Sequence, residues 1–122
     1  MADLVTFGDI LLVMLPTHAP AGHEQEGVGP AVVVGLPERA GQPRFSTLLV
    51  IPLTTQEGTW SKQAPRLYPH LRGGAGGLPR PSIALLDQVR SIDVRRVSSY
   101  LGSLTGKEFQ PIKEGLKRIF GF

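Results

Sequence analysis

The chain has 122 residues and a formal net charge of +3, and 41% of its residues are hydrophobic and 19% charged. These values allow one compact domain and exclude wholesale disorder. Cysteine is absent, which excludes disulfides, thiolate nucleophiles and cysteine-ligated metals and agrees with a cytoplasmic location. The apolar run 10–15 is far shorter than the ~20 residues that cross a bilayer, and the amino terminus lacks a basic region, so we expect neither a signal peptide nor a membrane span.

The charge is divided unevenly along the chain. Residues 1–60 carry two Lys/Arg against six Asp/Glu, a net −4, whereas residues 61–122 carry eleven against four, a net +7. Such asymmetry suits a surface that meets phosphate, but basic faces that are simply solvated are also common. Charge alone therefore leaves nucleic-acid binding open.

The first half of the chain predicts three buried strands. Residues 8–15, 31–36 and 46–53 are short apolar runs rich in β-branched side chains, which is typical of core strands. Residues 17–29 are rich in Gly, Pro and His and predict a loop, and residues 37–44 predict the connection of a hairpin. Two adjacent core strands therefore follow the first loop.

The second half begins with a segment that has no periodic pattern. Residues 55–81 predict a long exposed excursion with one edge strand near 65–68, and its Gly-rich run 73–77 predicts flexibility. Residues 82–92 then return to a buried apolar run. Three polar side chains that need partners or a ligand stand near its end: Asp87, Gln88 and Arg90.

The end of the chain predicts a helix. After a short helical turn and a strand around 98–104, Thr105 and Glu108 match a capping box. Apolar residues then recur at helical spacing: Phe109, Ile112, Leu116, Ile119 and Phe120. They predict a packed helix over 107–120, in which Gly115 costs about 1 kcal/mol that packing must offset. Five or six short strands with one terminal helix indicate a mainly β fold, a small β-barrel or strongly coiled sheet.

Several familiar catalytic motifs are absent. The chain has no Walker loop, HExxH, GxSxG or dinucleotide fingerprint, and the Gly-rich run neither follows a predicted strand nor opens a helix. The three histidines stand in loop-like segments without metal-ligand spacing: His18, His23 and His70. We therefore expect no metal centre and no cofactor.

Four ordered motifs resemble those of the MazF/PemK toxin family: GDILLVMLPT, GHEQEGVGPAVVV, VIPLTTQ and SIALLDQVRSID. The resemblance implies an SH3-like β-barrel with a carboxyl-terminal helix, and a homodimer. It also implies a cytoplasmic, sequence-specific endoribonuclease that cuts single-stranded RNA without a metal, by attack of the ribose 2′-hydroxyl on its own phosphate. The flexible tail of an antitoxin would occupy the same groove.

The resemblance also assigns candidate site residues. Thr54 matches a threonine whose hydroxyl touches the scissile phosphate, although packing or a turn hydrogen bond also explains a threonine there. The loop residues that flank the RNA are His23, Glu24 and Gln25, and the polar pair that contacts bases or ribose is Asp87 and Gln88. Arg90 either holds phosphate or forms an ion pair with Asp87 or Asp93.

The chain departs from the family at one expected catalytic position. An Arg-Pro pair ends the glycine-rich loop in the family, and Gly29-Pro30 stands there in this chain; a second arginine found in one branch is replaced by Leu85. Losing one preorganised donor to the developing phosphate charge costs ~3–4 kcal/mol, about a thousandfold in rate. Either another cation reaches the phosphate or activity is reduced or lost, and the candidate cations are Arg39, Arg44 and Arg80.

Three functional classes remain open at this point. The first is an RNA-cleaving toxin, and the second is a silent module that binds RNA or antitoxin without turnover. The third is an SH3-like structural or peptide-binding module, which the 7% aromatic content disfavours because such grooves rely on exposed aromatic side chains.

Overall fold

A computed structural model describes residues 5–16, 22 and 26–122. Within them lie seven strands: β1 Asp9–Leu15, β2 Gly27–Gly35, β3 Thr47–Thr54, β4 His70–Leu71, β5 Ser82–Ala84, β6 Arg90–Asp93 and β7 Val97–Ser103. The two α-helices are α1, Thr59–Gln63, and α2, Gly106–Phe120. The predicted mainly β fold with a carboxyl-terminal helix is confirmed.

The strands form one curled antiparallel sheet in the order β4-β5-β3-β2-β1-β7. One edge of β3 is shared by two short strands, because β5 pairs with Leu53 and Thr54 whereas β6 pairs with residues 47–50. The turn Ala75–Gly77 packs on β7. This packing brings the two ends of the sheet together into a half-barrel.

Both faces of the central strands are buried, which explains their nearly continuous apolar sequences. One face packs Ile10, Val32 and Ile51 against α2, whose buried contact there is Ile112. The opposite face packs another cluster around Val13, Val33, Leu48, Val50 and Ile92. Strands β1, β2 and β3 were predicted from these runs, although β2 begins at Gly27, so that Gly29-Pro30 lies in a strand and not at the end of a loop.

The segment predicted as a long exposed excursion is folded onto the molecule. Residues 59–63 form α1, and the predicted edge strand near 65–68 is wrong because Leu67 and Tyr68 donate backbone hydrogen bonds to the Ala64 carbonyl and close a turn. The strand comes later, at His70–Leu71. The Gly-rich run is packed as well: a Cβ on Gly77 would lie 2.3 Å from the Leu101 carbonyl oxygen. Glycine is required there for two reasons: the backbone of Gly77 approaches Leu101 closely, and Gly77 has a positive φ of +78°.

The predicted capping box at the start of α2 is confirmed. The Thr105 hydroxyl accepts from the Glu108 amide at 3.1 Å, and the Glu108 carboxylate accepts from the Thr105 amide at 2.9 Å. The helix packs on the sheet through Ile112 and Leu116. The expectation that Ile119 and Phe120 also pack is wrong, since both are exposed in the last turn.

Candidate functional site

A groove runs along the end of β3 and is built from two adjoining depressions. The smaller, about 220 Å³, is lined by residues 26–30 and 52–56 with Leu15 and Ser82. The larger, about 440 Å³, is lined by Thr55, Glu57, His70 and residues 80–83. Thr55 and Ser82 belong to both, so we treat them as one surface, the β3 groove. It brings together segments from β2, β3, β4 and β5.

Thr54 is the last residue of β3 and lines the groove, where it pairs with Ile83 of β5. Its Oγ1 accepts a hydrogen bond from the Gln56 amide at 3.2 Å, which is the turn interaction that the sequence left as an alternative role. An accepting hydroxyl keeps its own hydrogen. Thr54 can therefore fix the turn and still donate to a ligand in the groove.

Gly29 lines the same part of the groove as Thr54. It lies in β2 opposite Val13, and a Cβ built on it meets no atom within 4 Å. The backbone at this position is therefore open to a side chain. Leu85 stands where the second family arginine is expected, is buried and is not among the lining residues.

The structure separates the three candidate arginines. Arg80 lines the groove beside Glu57 and His70. Arg39 and Arg44 lie in the connection between β2 and β3, before β3 begins. Thr54 is at the other end of β3, and the strand is about 23 Å long. Their guanidinium groups stand over aromatic rings instead, at 5.2 Å for Arg39 over Phe7 and 5.6 Å for Arg44 over Phe45. Within one chain, only Arg80 of the three lies in the β3 groove.

Asp87 and Gln88 lie in a 3₁₀ turn between β5 and β6, outside the residues that line the groove. The Tyr68 hydroxyl donates to the Asp87 carboxylate at 2.7 Å, and the Tyr68 ring meets Trp60 edge-on at 4.8 Å. This hydrogen bond, with smaller contributions from burial and from the Asp87 charge, raises the pKa of Tyr68 above 10.0. The Asp87 carboxylate is thus held beside the aromatic pair Tyr68 and Trp60.

Arg90 lies in β6 opposite Val50, about 13 Å along β3 from Thr54. Of the two partners proposed for it, Asp87 accepts from the Tyr68 hydroxyl. The other, Asp93, is engaged by Arg95, whose Nη2 lies 2.9 Å from the carboxylate. Hydrogen bonds from the Arg95 side chain and backbone lower the pKa of Asp93 below its usual value. The predicted RNA-contacting residues therefore fall into two groups within one chain, the groove residues and those around β6.

His23, Glu24 and Gln25 lie outside the described residues, as does His18. The next residues along the chain, Glu26 and Gly27, line the β3 groove. The predicted loop candidates thus directly precede a segment that belongs to the site.

The described part of the groove lacks the excess of positive charge that a surface for phosphate would carry, although the second half of the sequence is basic. Among the described lining residues, Arg80 stands against Glu26 and Glu57, and His70 is the remaining titratable group. Much of the positive charge of the second half lies on α2 instead, on Lys107, Lys113, Lys117 and Arg118. A strongly positive cavity is therefore not present in the described part of a single chain.

Sequence reasoning missed two groove residues, His70 and Glu57. His70 was considered only as a metal ligand, and Glu57 fell in the patternless excursion. The alternation of β4, with Leu71 buried and His70 exposed, is a signal only once the two-residue strand is known. In the described ranges, no cluster of three or more His, Asp or Glu side chains could hold a metal ion, and no helix is long and apolar enough to cross a membrane.

One comparison with known proteins identifies a family, and another identifies the fold. A family model described as a PemK-like, MazF-like toxin of type II toxin-antitoxin system matches residues 6–120. No curated protein sequence matches significantly. The fold is similar to that of MazF (Form-I) from Deinococcus radiodurans, with a TM-score of 0.73 at 20% identity over 97% of both chains.

Two mycobacterial structures are also similar. For an endoribonuclease in complex with its cognate antitoxin from Mycobacterial species, the TM-score is 0.66 at 17% identity, over 97% of this chain and 94% of that one. For the Mycobacterium tuberculosis toxin MazF-mt6, it is 0.65 at 18% identity, over 93% and 97%. At these identities the structural likeness speaks for the fold.

Proposed function

Because the chain belongs to the family of PemK-like, MazF-like toxins of type II toxin–antitoxin systems, we propose that it is an endoribonuclease that cuts single-stranded RNA in the β3 groove. One observation carries the proposal. Gly29 and Thr54, which the family motifs assign to the reacting phosphate, are 25 residues apart in the sequence and line the same depression.

The reaction uses the RNA's own 2′-hydroxyl as the nucleophile, so no metal-bound water is required. The 2′-oxygen attacks the adjacent phosphorus and the bond to the 5′-oxygen breaks, while negative charge builds on the phosphate oxygens. Thr54 donates its hydroxyl hydrogen to one of these oxygens. Arg80 supplies the positive charge that the groove needs in place of the family arginine, because a guanidinium presents several donors to a phosphate at once.

We also propose that an antitoxin neutralises this activity, with its flexible tail in the β3 groove, and that the toxin acts in the cytoplasm as a homodimer. A similar fold occurs in a mycobacterial endoribonuclease bound to its cognate antitoxin. An exposed apolar pair at the edge of the groove supports the dimer: Met14 and Val28 face each other across β1 and β2 and are 47% and 60% exposed, and Val28 itself lines the groove. Such a surface is suited to a second copy of the chain.

A threonine pair on the same strand provides the test. The Thr54→Ala variant should cleave a long single-stranded RNA about 10²-fold or more slowly, as expected for loss of a donor to the developing charge. The control, Thr47→Ala, changes the other end of β3 and should cleave at the unaltered rate. Equal rates for both variants would remove Thr54 from the site. Mapping the fragment ends would show whether cleavage occurs within one short sequence.

The charge of the groove favours a second candidate, a module that binds RNA or antitoxin without turnover. Glu26 and Glu57 oppose Arg80, and Gly29 provides no cation. This candidate predicts salt-sensitive RNA binding with no fragments formed. Cleavage above the buffer rate would exclude it.

A further inference from the structure

His70 faces the β3 groove because of the geometry of a very short strand. β4 has only His70 and Leu71, and it pairs with Ile83 and Ser82 of β5. Side chains alternate across a strand, and Leu71 is buried in the core cluster. His70 is therefore directed away from the core, and its side chain is 46% exposed at the groove wall.

The surroundings of His70 leave one ring nitrogen for a substrate. The Nδ1 atom lies 4.0 Å from Oε1 of Glu57, so the carboxylate lies on that side of the imidazole, beyond hydrogen-bond distance. Arg80, Thr55 and Ser82 are the other polar residues of the same depression. Nε2 is then the nitrogen that can meet a ligand lying between His70, Arg80 and the hydroxyl groups.

The proposed cleavage leaves one chemical requirement unmet by Thr54 and Arg80. When the bond from phosphorus to the 5′-oxygen breaks, the leaving oxygen must gain a proton. An arginine does not give up a proton near neutral pH, and a threonine hydroxyl is a poor acid. Among the described groove residues, only His70 is of a type that readily gives and takes a proton between about pH 5 and 8.

We propose that His70 is the general acid of the reaction and that Glu57 is its positioning residue; the inference rests on the proposed ribonuclease function. The 2′-oxygen forms its bond to phosphorus and releases its proton to solvent water. The imidazolium Nε2 gives its proton to the departing 5′-oxygen, and the neutral ring regains a proton from water. The products are a 2′,3′-cyclic phosphate and a 5′-hydroxyl, so atoms and charge balance.

A pair of RNA substrates tests the assignment. The first has an ordinary 5′-oxygen at the cleaved bond, and the second has a bridging 5′-sulfur there, which leaves as a thiolate and needs no general acid. His70→Gln should cut the oxygen substrate about 10²- to 10⁴-fold more slowly in kcat, the range for general acid catalysis. With the sulfur substrate, the same variant should stay within about threefold of the unaltered chain.

The pH profile gives a second readout. For the unaltered chain, cleavage of the oxygen substrate should fall as the pH rises, and cleavage of the sulfur substrate should show no such fall. Titratable or charged groups that line the same depression are Glu57 and Arg80. Glu57→Gln should reduce kcat for the oxygen substrate more weakly than His70→Gln, because it loosens the ring without removing the acid.

The outcomes separate the two levels of the argument. If the unaltered chain and Gly29→Arg leave both substrates intact, the proposed function fails. If the chain cuts RNA and His70→Gln slows the oxygen and sulfur substrates equally, His70 only binds phosphate or supports the fold and the assignment is overturned. Equal activity of His70→Gln and the unaltered chain on the oxygen substrate overturns it too. Circular dichroism of each variant identifies a loss of fold. For a variant that is partly unfolded, the ratio of its cleavage rates on the oxygen and sulfur substrates still decides, because unfolding lowers both rates equally.

Discussion

Gly29 is the residue at which the sequence motifs predict a departure from the family, and its surroundings leave room for a larger side chain. No atom lies within 4 Å of a Cβ at this position, and Thr54 lines the same depression. A side chain that extends from Gly29 has room to enter the depression in which we propose that Thr54 contacts the phosphate. Under the proposed function, the predicted loss of an arginine is thus a local change at a position that has room for it.

We predict that Gly29→Arg raises the cleavage rate of single-stranded RNA about 10²- to 10³-fold, the contribution of one preorganised donor to developing phosphate charge. The rate is measured under single-turnover conditions. Gln42→Arg is the matched control, because it adds the same charge at an exposed position in the β2–β3 connection. An equal gain in both variants would mean that general attraction for RNA, and not the groove, is responsible.

Individual residues also show how far sequence reasoning reached into the site. Thr54 and Gly29 were found because ordered motifs carry them, and the structure brings both to one depression. His70 and Glu57 were missed because their proximity depends on a two-residue strand pairing with β5. No local pattern encodes such a contact, since it is made by tertiary pairing between segments that each lack periodicity.

At the scale of elements, α2 is held against the core by a close approach at Gly115. A Cβ there would lie 2.2 Å from Leu86 Cδ1 and 2.8 Å from the Arg66 carbonyl oxygen. The leucine end can move, but the backbone carbonyl cannot move without disturbing the turn that contains it. The close packing of α2 on Leu86 and Arg66 therefore requires a glycine at position 115, although glycine is unfavourable in the interior of a helix.

We predict that Gly115→Ala lowers the free energy of unfolding by up to about 2 kcal/mol, since overpacking costs about 1–3 kcal/mol and the gain in helix propensity offsets about 1 kcal/mol of this. The control is Gly106→Ala in the first turn of α2, where a Cβ meets no atom within 4 Å. Urea denaturation should show this control as stable as the unaltered chain or slightly more so. A stabilised Gly115→Ala would contradict the packing described for α2.

The capping box of α2 predicts a dependence of stability on pH. The Thr105 backbone hydrogen bond and, more weakly, the Arg72 guanidinium at 3.2 Å lower the pKa of Glu108 below 4.5. The folded state thus binds this proton less tightly than the unfolded state. The stabilisation is therefore present above the ordinary carboxyl range and is lost as the pH falls through the lowered pKa.

Glu108→Gln removes this ionisation and keeps a side chain of the same size. Its midpoint of urea denaturation should lie below that of the unaltered chain near pH 7, and the difference should shrink as the pH falls to about 3. Glu114→Gln, on the exposed side of α2, is the control. A difference that stays constant with pH would show that the charge of Glu108 does not contribute.

The elements predicted best were those whose own sequence carries the pattern. β1 and β3 have continuous apolar runs, and α2 has a capping box followed by apolar residues at helical spacing. Residues 55–81 lack such a pattern because their order comes from long-range packing, as where Gly77 meets Leu101 of β7. Exposed and packed loops of this composition look alike in the sequence.

At the scale of the whole molecule, the exposed apolar pair Met14 and Val28 lies at the edge of the groove, which Val28 itself lines. We predict that sedimentation equilibrium at micromolar concentration gives twice the chain mass of 13.2 kDa, and that Met14→Lys shifts the protein towards monomer because a desolvated charge opposes association. Phe45→Lys, at an exposed site beyond the other end of β3, should leave the dimer intact. A monomer for the unaltered chain would refute the proposed dimer.

On the proposed function, the β3 groove holds a ribonucleotide strand while the strand's own 2′-hydroxyl cuts it. The most direct test compares two copies of one cleaved RNA, one entirely ribose and the other with a single 2′-deoxy sugar before the cleaved bond, both in the presence of a metal chelator. We predict that the chain, or its Gly29→Arg variant, cuts the first to a 2′,3′-cyclic phosphate and leaves the second intact at that bond. Cleavage of both copies, or cleavage that requires added metal, would contradict the account.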